Sequence, residues 1–210
     1  MKKQESIFGL LTQKPWESSQ VKIDNEHEGK TLNLSTYKLG LRTIMVVSTI
    51  IFSLFIVTYS DRMLVHDWRS MPEPWLLWFN TAVLILSSAV LQFTKFASDR
   101  NQKNKVKNGL YLTGFLAYSF LIGQLIVWYQ LMQLGYYATN NVANAFFYLL
   151  TTLHGLHLIG GLYFWSRTTS KFLKDNYRIA DMQHKIELCT IYWHFLLVVW
   201  LVLFGLMLFT

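Results

Sequence analysis

Four ionisable side chains stand in stretches of this 210-residue chain that are otherwise almost wholly apolar: His154 and His157 in HGLH, and Glu187 and His194 in ELCTIYWHF. Asn80, Gln92 and Gln124 interrupt further uncharged stretches. These residue types admit three chemistries. Three imidazoles and a carboxylate are a donor set for a first-row metal, and histidines projecting into a helix bundle can also ligate haem. Imidazole titrates near neutral pH and a buried carboxylate can be shifted upward, which suits a proton relay. The same groups can instead hydrogen-bond one helix to another. HGLH carries no further spacing that selects a metal, and the residues alone leave the three readings open.

The elements that must position these groups follow from the run lengths. Apolar residues make up 52% of the chain and charged ones only 15%, against about a quarter charged in soluble domains. Uncharged runs fill 43–60, 74–94, 108–166 and 188–210. The third is about twice one span long and has a polar middle, GYYATNNVAN, so it reads as two helices and a short turn. A crossing needs about 20 residues at about 1.5 Å each. The chain is therefore expected to be an all-α integral membrane protein, a bundle of five transmembrane helices near 41–60, 75–95, 109–132, 143–166 and 187–209. Residues 1–40 are expected to form a polar cytoplasmic tail. The apolar stretch 7–11 behind Lys2 and Lys3 is too short for a signal peptide.

Loop charge sets the expected orientation. Of the 19 Lys and Arg, seventeen fall in the tail and in the loops at 95–107 and 167–185, and only Arg62 and Arg69 fall on the other side. Basic residues stay cytoplasmic, which puts the N-terminus inside and the C-terminus outside (periplasmic). The same bias accounts for the net charge of +7 without a nucleic-acid partner. Cys189 is the only cysteine, so an internal disulfide is excluded.

With those spans, His157 lies eight residues before Trp165 and His194 eight after Ile186, a matched depth of about 12 Å. His154 shares the face of His157 one turn deeper, and Glu187 shares the face of His194 near the inner surface. Gly114, Gly123, Gly155, Gly160, Gly161, Ser87, Ser88 and Ala89 are the small residues expected to allow close helix packing. Trp75, Trp78, Tyr136, Tyr137, Tyr163 and Trp165 sit near span ends, where an aromatic belt is expected.

FFYLLTTLHGLHLIGGLY (146–163) and ELCTIYWHFLLVVWLVLF (187–204) closely resemble the two C-terminal signatures of subunit III of cytochrome c oxidase and related haem-copper oxidases. PEPWLLWFNTAVLILSS (72–88) resembles the family's segment with an Asn-Thr pair, here Asn80 and Thr81, and Gln124 with Trp128 matches a further signature. The resemblance covers about 41–208. It implies an all-helical subunit in the five-span bacterial form that lacks the first two helices of the longer one. It further implies a chain without a catalytic centre, haem, copper or other metal of its own, in a bacterial inner (plasma) membrane. Such a subunit packs on subunit I beside subunit II, which carry the haem and copper, binds phospholipid, and sustains proton uptake and turnover stability in aerobic respiration. His154, His157, Glu187, Trp193 and His194 match signature positions, and the resemblance gives them a structural role, with the histidines clasping the fourth and fifth spans together.

The sequence departs from the family at Val127, where a carboxylate is expected on the third span, and in lacking the helix pair that forms one wall of the lipid cleft. Arg42 and Lys95, near inner span ends, are the candidates for lipid headgroup contact. Alternatives are subunit III of a quinol oxidase or an accessory subunit of a nitric oxide reductase, and, from another class, a small transporter or channel. Internal repeats and Pro-broken helices, which would favour transport, are absent from the sequence.

Overall fold

The computed structural model describes residues 36–66, 68–69, 74–173 and 179–208. These residues form five α-helices and no strand: α1 Thr36–Arg62, α2 Trp75–Asp99, α3 Lys103–Gln133, α4 Val142–Leu173 and α5 Ile179–Leu208. Each contains a span of 24 to 31 residues long and apolar enough to cross a membrane. The five expected crossings thus correspond to five helices, with residue 209 of the expected fifth span outside the described residues. A helix satisfies every backbone N–H and C=O within its own segment, the condition hydrocarbon imposes. Of the expected polar tail, 1–35 lie outside the described residues, and α1 begins at Thr36.

All five helices outlast their expected spans, three of them by six residues or more. α3 begins at Lys103 where 109 is expected, α4 reaches Leu173 past 166, and α5 begins at Ile179 ahead of 187. Lys, Arg, Glu and Gln are good helix formers in water, so the backbone stays helical after the hydrocarbon ends.

Local chemistry fixes the turns. Asn101 follows α2 at φ 56° and Gly135 follows α3 at φ 84°. Asn and Gly are the residues that enter this left-handed region most readily. Gln102 N–H donates to Ala97 C=O and Asn101 N–H to Ser98 C=O, while Tyr136 N–H donates to Leu131 C=O and Gly135 N–H to Met132 C=O. Both turns thus close as Schellman caps that satisfy the last carbonyls of their helices.

Small residues set the helix approaches, though not all of the expected ones. A methyl group at Gly123 would overlap the Asn80 amide of α2, and one at Gly114 would overlap the Trp165 indole of α4. At Gly161 it would stand 3.1 Å from the Tyr192 ring of α5. Gly109, which the composition did not single out, abuts Thr94. Gly155 and Gly160 have nothing within 4 Å of such a methyl, so they correct the packing expectation: Gly160 is exposed on α4, and Gly155 lines an open groove between α3 and α4. The aromatic-belt expectation is corrected at Trp165, which is buried against α3, whereas Trp75, Trp78, Tyr137 and Tyr163 are exposed.

The core is built from Phe120 of α3, Phe147 of α4 and Trp193 and Trp200 of α5, all buried. Val127 is fully buried in it. α1 is held more thinly. It buries Ser48, Phe52 and Tyr59 and leaves Ile44, Val46, Val47, Ile50, Leu54 and Val57 exposed.

Candidate functional site

The three histidines expected within the spans, His154, His157 and His194, do not form one cluster. His194 lies on α5 and bonds to α2: its Nε2–H donates to the Gln92 amide oxygen at 3.0 Å, and its Nδ1 shares a hydrogen bond with the Ser88 hydroxyl. The carbonyl oxygen of Gln92 can only accept, so Nε2 carries the proton in this bond. His157, on α4, donates from Nδ1–H to the Leu153 carbonyl of its own helix at 2.8 Å and packs against Phe52 of α1, ring centroids 5.3 Å apart. His154, one turn away and fully buried, sits between Phe120 (5.9 Å) and Trp200 (5.1 Å). Neither of its ring nitrogens has a hydrogen-bond partner among the described residues.

The expected histidine clasp between the fourth and fifth spans is therefore corrected at His157 and His194, and only His154 reaches across, by a ring contact with Trp200. Matched depth brings two residues to one level, but rotation about each helix axis decides whom they face. α4 and α5 are linked by the ring contact of His154 with Trp200 and by Tyr192, whose hydroxyl donates to the His157 backbone carbonyl at 3.1 Å. Trp128 of α3 donates to the Thr151 hydroxyl of α4 at 3.1 Å. Among the described residues, no three His, Cys, Asp or Glu side chains converge as a metal-ligand group.

The polar groups that do come together form a seam between α2 and α5. Trp200 Nε1–H donates to Thr81 Oγ1 at 3.0 Å, and Trp193 Nε1–H to Ser87 Oγ at 3.0 Å. The His194 pair with Ser88 and Gln92 follows. Beyond it the Lys95 ammonium stands 3.9 Å from the Glu187 carboxylate, and Gln183 donates to the Ser98 carbonyl at 3.0 Å. The seam climbs 17 residues along α2, from Thr81 to Ser98, while it descends 17 along α5, from Trp200 to Gln183. The two helices run antiparallel in step for about 26 Å, against about 30 Å of hydrocarbon. Unpaired polar groups are costly in lipid, so each rung fixes register as well as proximity.

The remaining site residues fall around this seam. Asn80, beside Thr81, donates from Nδ2 to Gln124 Oε1 of α3 at 3.5 Å, and both are buried. Glu187 is shared between Lys95 and His184, the latter at 3.7 Å. Lys95, expected at lipid headgroups, is thus drawn to a carboxylate of the same chain. Arg42 is exposed on α1.

Sequence reasoning missed Trp200, Gln183 and Ser98 as partners, and read Ser87 and Ser88 only as small packing residues. A signal was present. Thr81, Ser88 and Lys95 recur every seven residues, as do Glu187 and His194, which puts each set on one helix face.

Residues 27–210 match the model of the cytochrome c oxidase subunit III family. The chain is 25% identical over 195 residues to cytochrome c oxidase subunit 3 of Thermostichus vulcanus, covering 91% of this chain and 94% of that protein. It is 29% identical to the protein of the same name from Synechocystis sp., covering 77% and 70% of the two chains. Against that of Corynebacterium diphtheriae it is 30% identical, over 59% and 60%, so the match spans only about three-fifths of that relative's length. The chain belongs to the cytochrome c oxidase subunit III family.

Proposed function

We propose that this member of the cytochrome c oxidase subunit III family is the non-catalytic subunit III of a proton-pumping cytochrome c oxidase in a bacterial plasma membrane. In this reading the N-terminus is cytoplasmic and the C-terminus periplasmic. The chain packs against subunit I beside subunit II, stabilises subunit I and supports its proton uptake. Haem and copper belong to those partners, and phospholipid covers part of the apolar surface.

The observation that carries this reading is the use made of the family-signature side chains. Thr81, Glu187, Trp193 and His194 are engaged in the α2–α5 seam, and Asn80 in the α2–α3 contact. They are not gathered around a common point where a ligand could react. A bundle held this way suits a wall whose exposed apolar helices meet lipid and a larger subunit. Seventeen basic residues on one side of the expected topology support the orientation.

The test is co-purification of the tagged full chain from native membranes, with an optical spectrum and identification of its partners. The expected result is two larger subunits and a haem a spectrum. Isolation with a quinol-oxidising complex that lacks a copper-bearing subunit II would move the reading to the quinol oxidase branch. Solute flux by the chain alone in vesicles would replace it with transport.

A further inference from the structure

The α2–α3 hairpin carries a cleft of about 580 Å³ on the face away from the α2–α5 seam. Its walls are Val90, Phe93 and Phe96 of α2 and Leu112 of α3, and its mouth is bordered by Arg100 and Lys105. Phe93, Phe96 and Leu112 are exposed large apolar residues on helices that span the membrane. The cleft therefore opens toward acyl chains along its length and toward water at its charged end.

The charged end is built on rigid backbone. Arg100 caps α2, and its N–H donates to Phe96 C=O at 3.2 Å. The Schellman bonds through Asn101 and Gln102 hold it at the first turn of α3, where Lys105 lies. No side chain caps that first turn, so its free N–H groups add positive potential beside the two basic side chains. Among the described residues neither Arg100 nor Lys105 has an ion-pair partner, in contrast to Lys95, which faces Glu187. The segment 95–107 has five basic residues and one acid, Asp99.

We infer that this cleft is a binding site for one anionic phospholipid, with the phosphate between Arg100 and Lys105 and an acyl chain along Phe93, Phe96 and Leu112. A guanidinium offers a fork of donors to phosphate oxygens, and an ammonium adds a point charge. The apolar walls select a lipid over a soluble phosphate, because a free anion gains nothing from them. A zwitterionic lipid fills the same walls but gains less at the mouth. This site is separate from Arg42 and Lys95, and it stands whichever oxidase the chain serves.

The test uses the full chain in detergent micelles, with phosphatidylglycerol or phosphatidylcholine added and bound lipid counted by native mass spectrometry. The chain is expected to retain one phosphatidylglycerol in preference to phosphatidylcholine. Each basic residue contributes roughly fivefold, so Arg100→Gln with Lys105→Gln should erase about 25-fold of that preference. Lys171→Gln, an exposed basic residue on α4, should leave it intact. Leu112→Trp keeps the charge and fills the cleft, so it should lower retention of both lipids. Far-UV circular dichroism on each variant confirms that the helices are kept. An unchanged preference in the folded double variant overturns the proposal. So does displacement of phosphatidylglycerol by equimolar inorganic phosphate, which would make this a free-anion site, or by an equimolar soluble acidic peptide, which would give the cleft to a protein partner.

Discussion

The α2–α5 seam and the α1–α4 contact hold helices together by different means. The first is cross-linked by directed polar bonds at six positions of α2, from Thr81 to Ser98, and is backed by buried Trp193 and Trp200. The second consists of ring contacts, Phe52 on His157 at 5.3 Å and Tyr59 on Phe146 at 5.6 Å. Only 11% of the spanning window of α1 is buried inside the structure, against 44% for α2. Lipid tails are as apolar as Leu, so burial drives no association between spans, and packing and hydrogen bonds must do it. The difference teaches which part of the chain is a fixed body. α2 to α5 form it, and α1 is the helix most open to lipid or to another subunit.

The largest effect should come at the seam. Trp200→Ala removes a buried indole, its ring contacts to Phe120 and His154 and its bond to Thr81, and is expected to cost about 3 kcal/mol or more. Trp200→Phe should recover most of this and leave a deficit of about 1 kcal/mol for the lost bond. Both are read by denaturant titration in micelles. A Trp200→Ala variant as stable as wild type would break the comparison.

Next in size is a glycine pair on neighbouring helices. Gly114→Ala forces the Trp165 indole aside and is expected to destabilise by about 1–3 kcal/mol. Gly160→Ala meets nothing and should stay within about 0.5 kcal/mol of wild type. Equal effects at the two positions, measured by thermal unfolding, would show that the helix approaches are set elsewhere.

Phe52→Ala tests the weaker contact. In water such a loss costs several kcal/mol, but in lipid the cavity is filled by acyl chain, and only the ring contact of about 1 kcal/mol is lost. Cysteine cross-linking between α1 and α4 should fall while the unfolding midpoint of the rest holds. The smallest effect belongs to Lys95→Gln, because the pair with Glu187 is about a third exposed at each side chain. A change below about 1 kcal/mol, shrinking with salt, is expected from the same titration.

Much of this arrangement was legible in residues and some of it was not. The five spans followed from run length, because a hydrocarbon slab sets one dimension that no loop can meet. Helix ends at Lys103, Leu173 and Ile179 did not, since hydropathy reports where lipid stops and the backbone continues beyond it. The polar residues of the bundle were found as types, but their partners depend on rotation about the helix axis. His194 turns to Ser88 and Gln92, while His157 at matched depth turns to Phe52. Gly114 and Gly160 are indistinguishable by composition, and only the neighbour at Trp165 separates them.

The polar residues of the α2–α5 seam are expected to join helices rather than to hold a cofactor. This role is tested most directly by purifying the full chain, wild type and His194→Ala, and measuring optical absorption, metal content and unfolding together. No haem band and no stoichiometric metal are expected in either protein, with a loss of about 1–2 kcal/mol in the variant as Ser88 and Gln92 lose their shared partner. A haem or metal bound at one equivalent to wild type and absent from the variant would contradict this role.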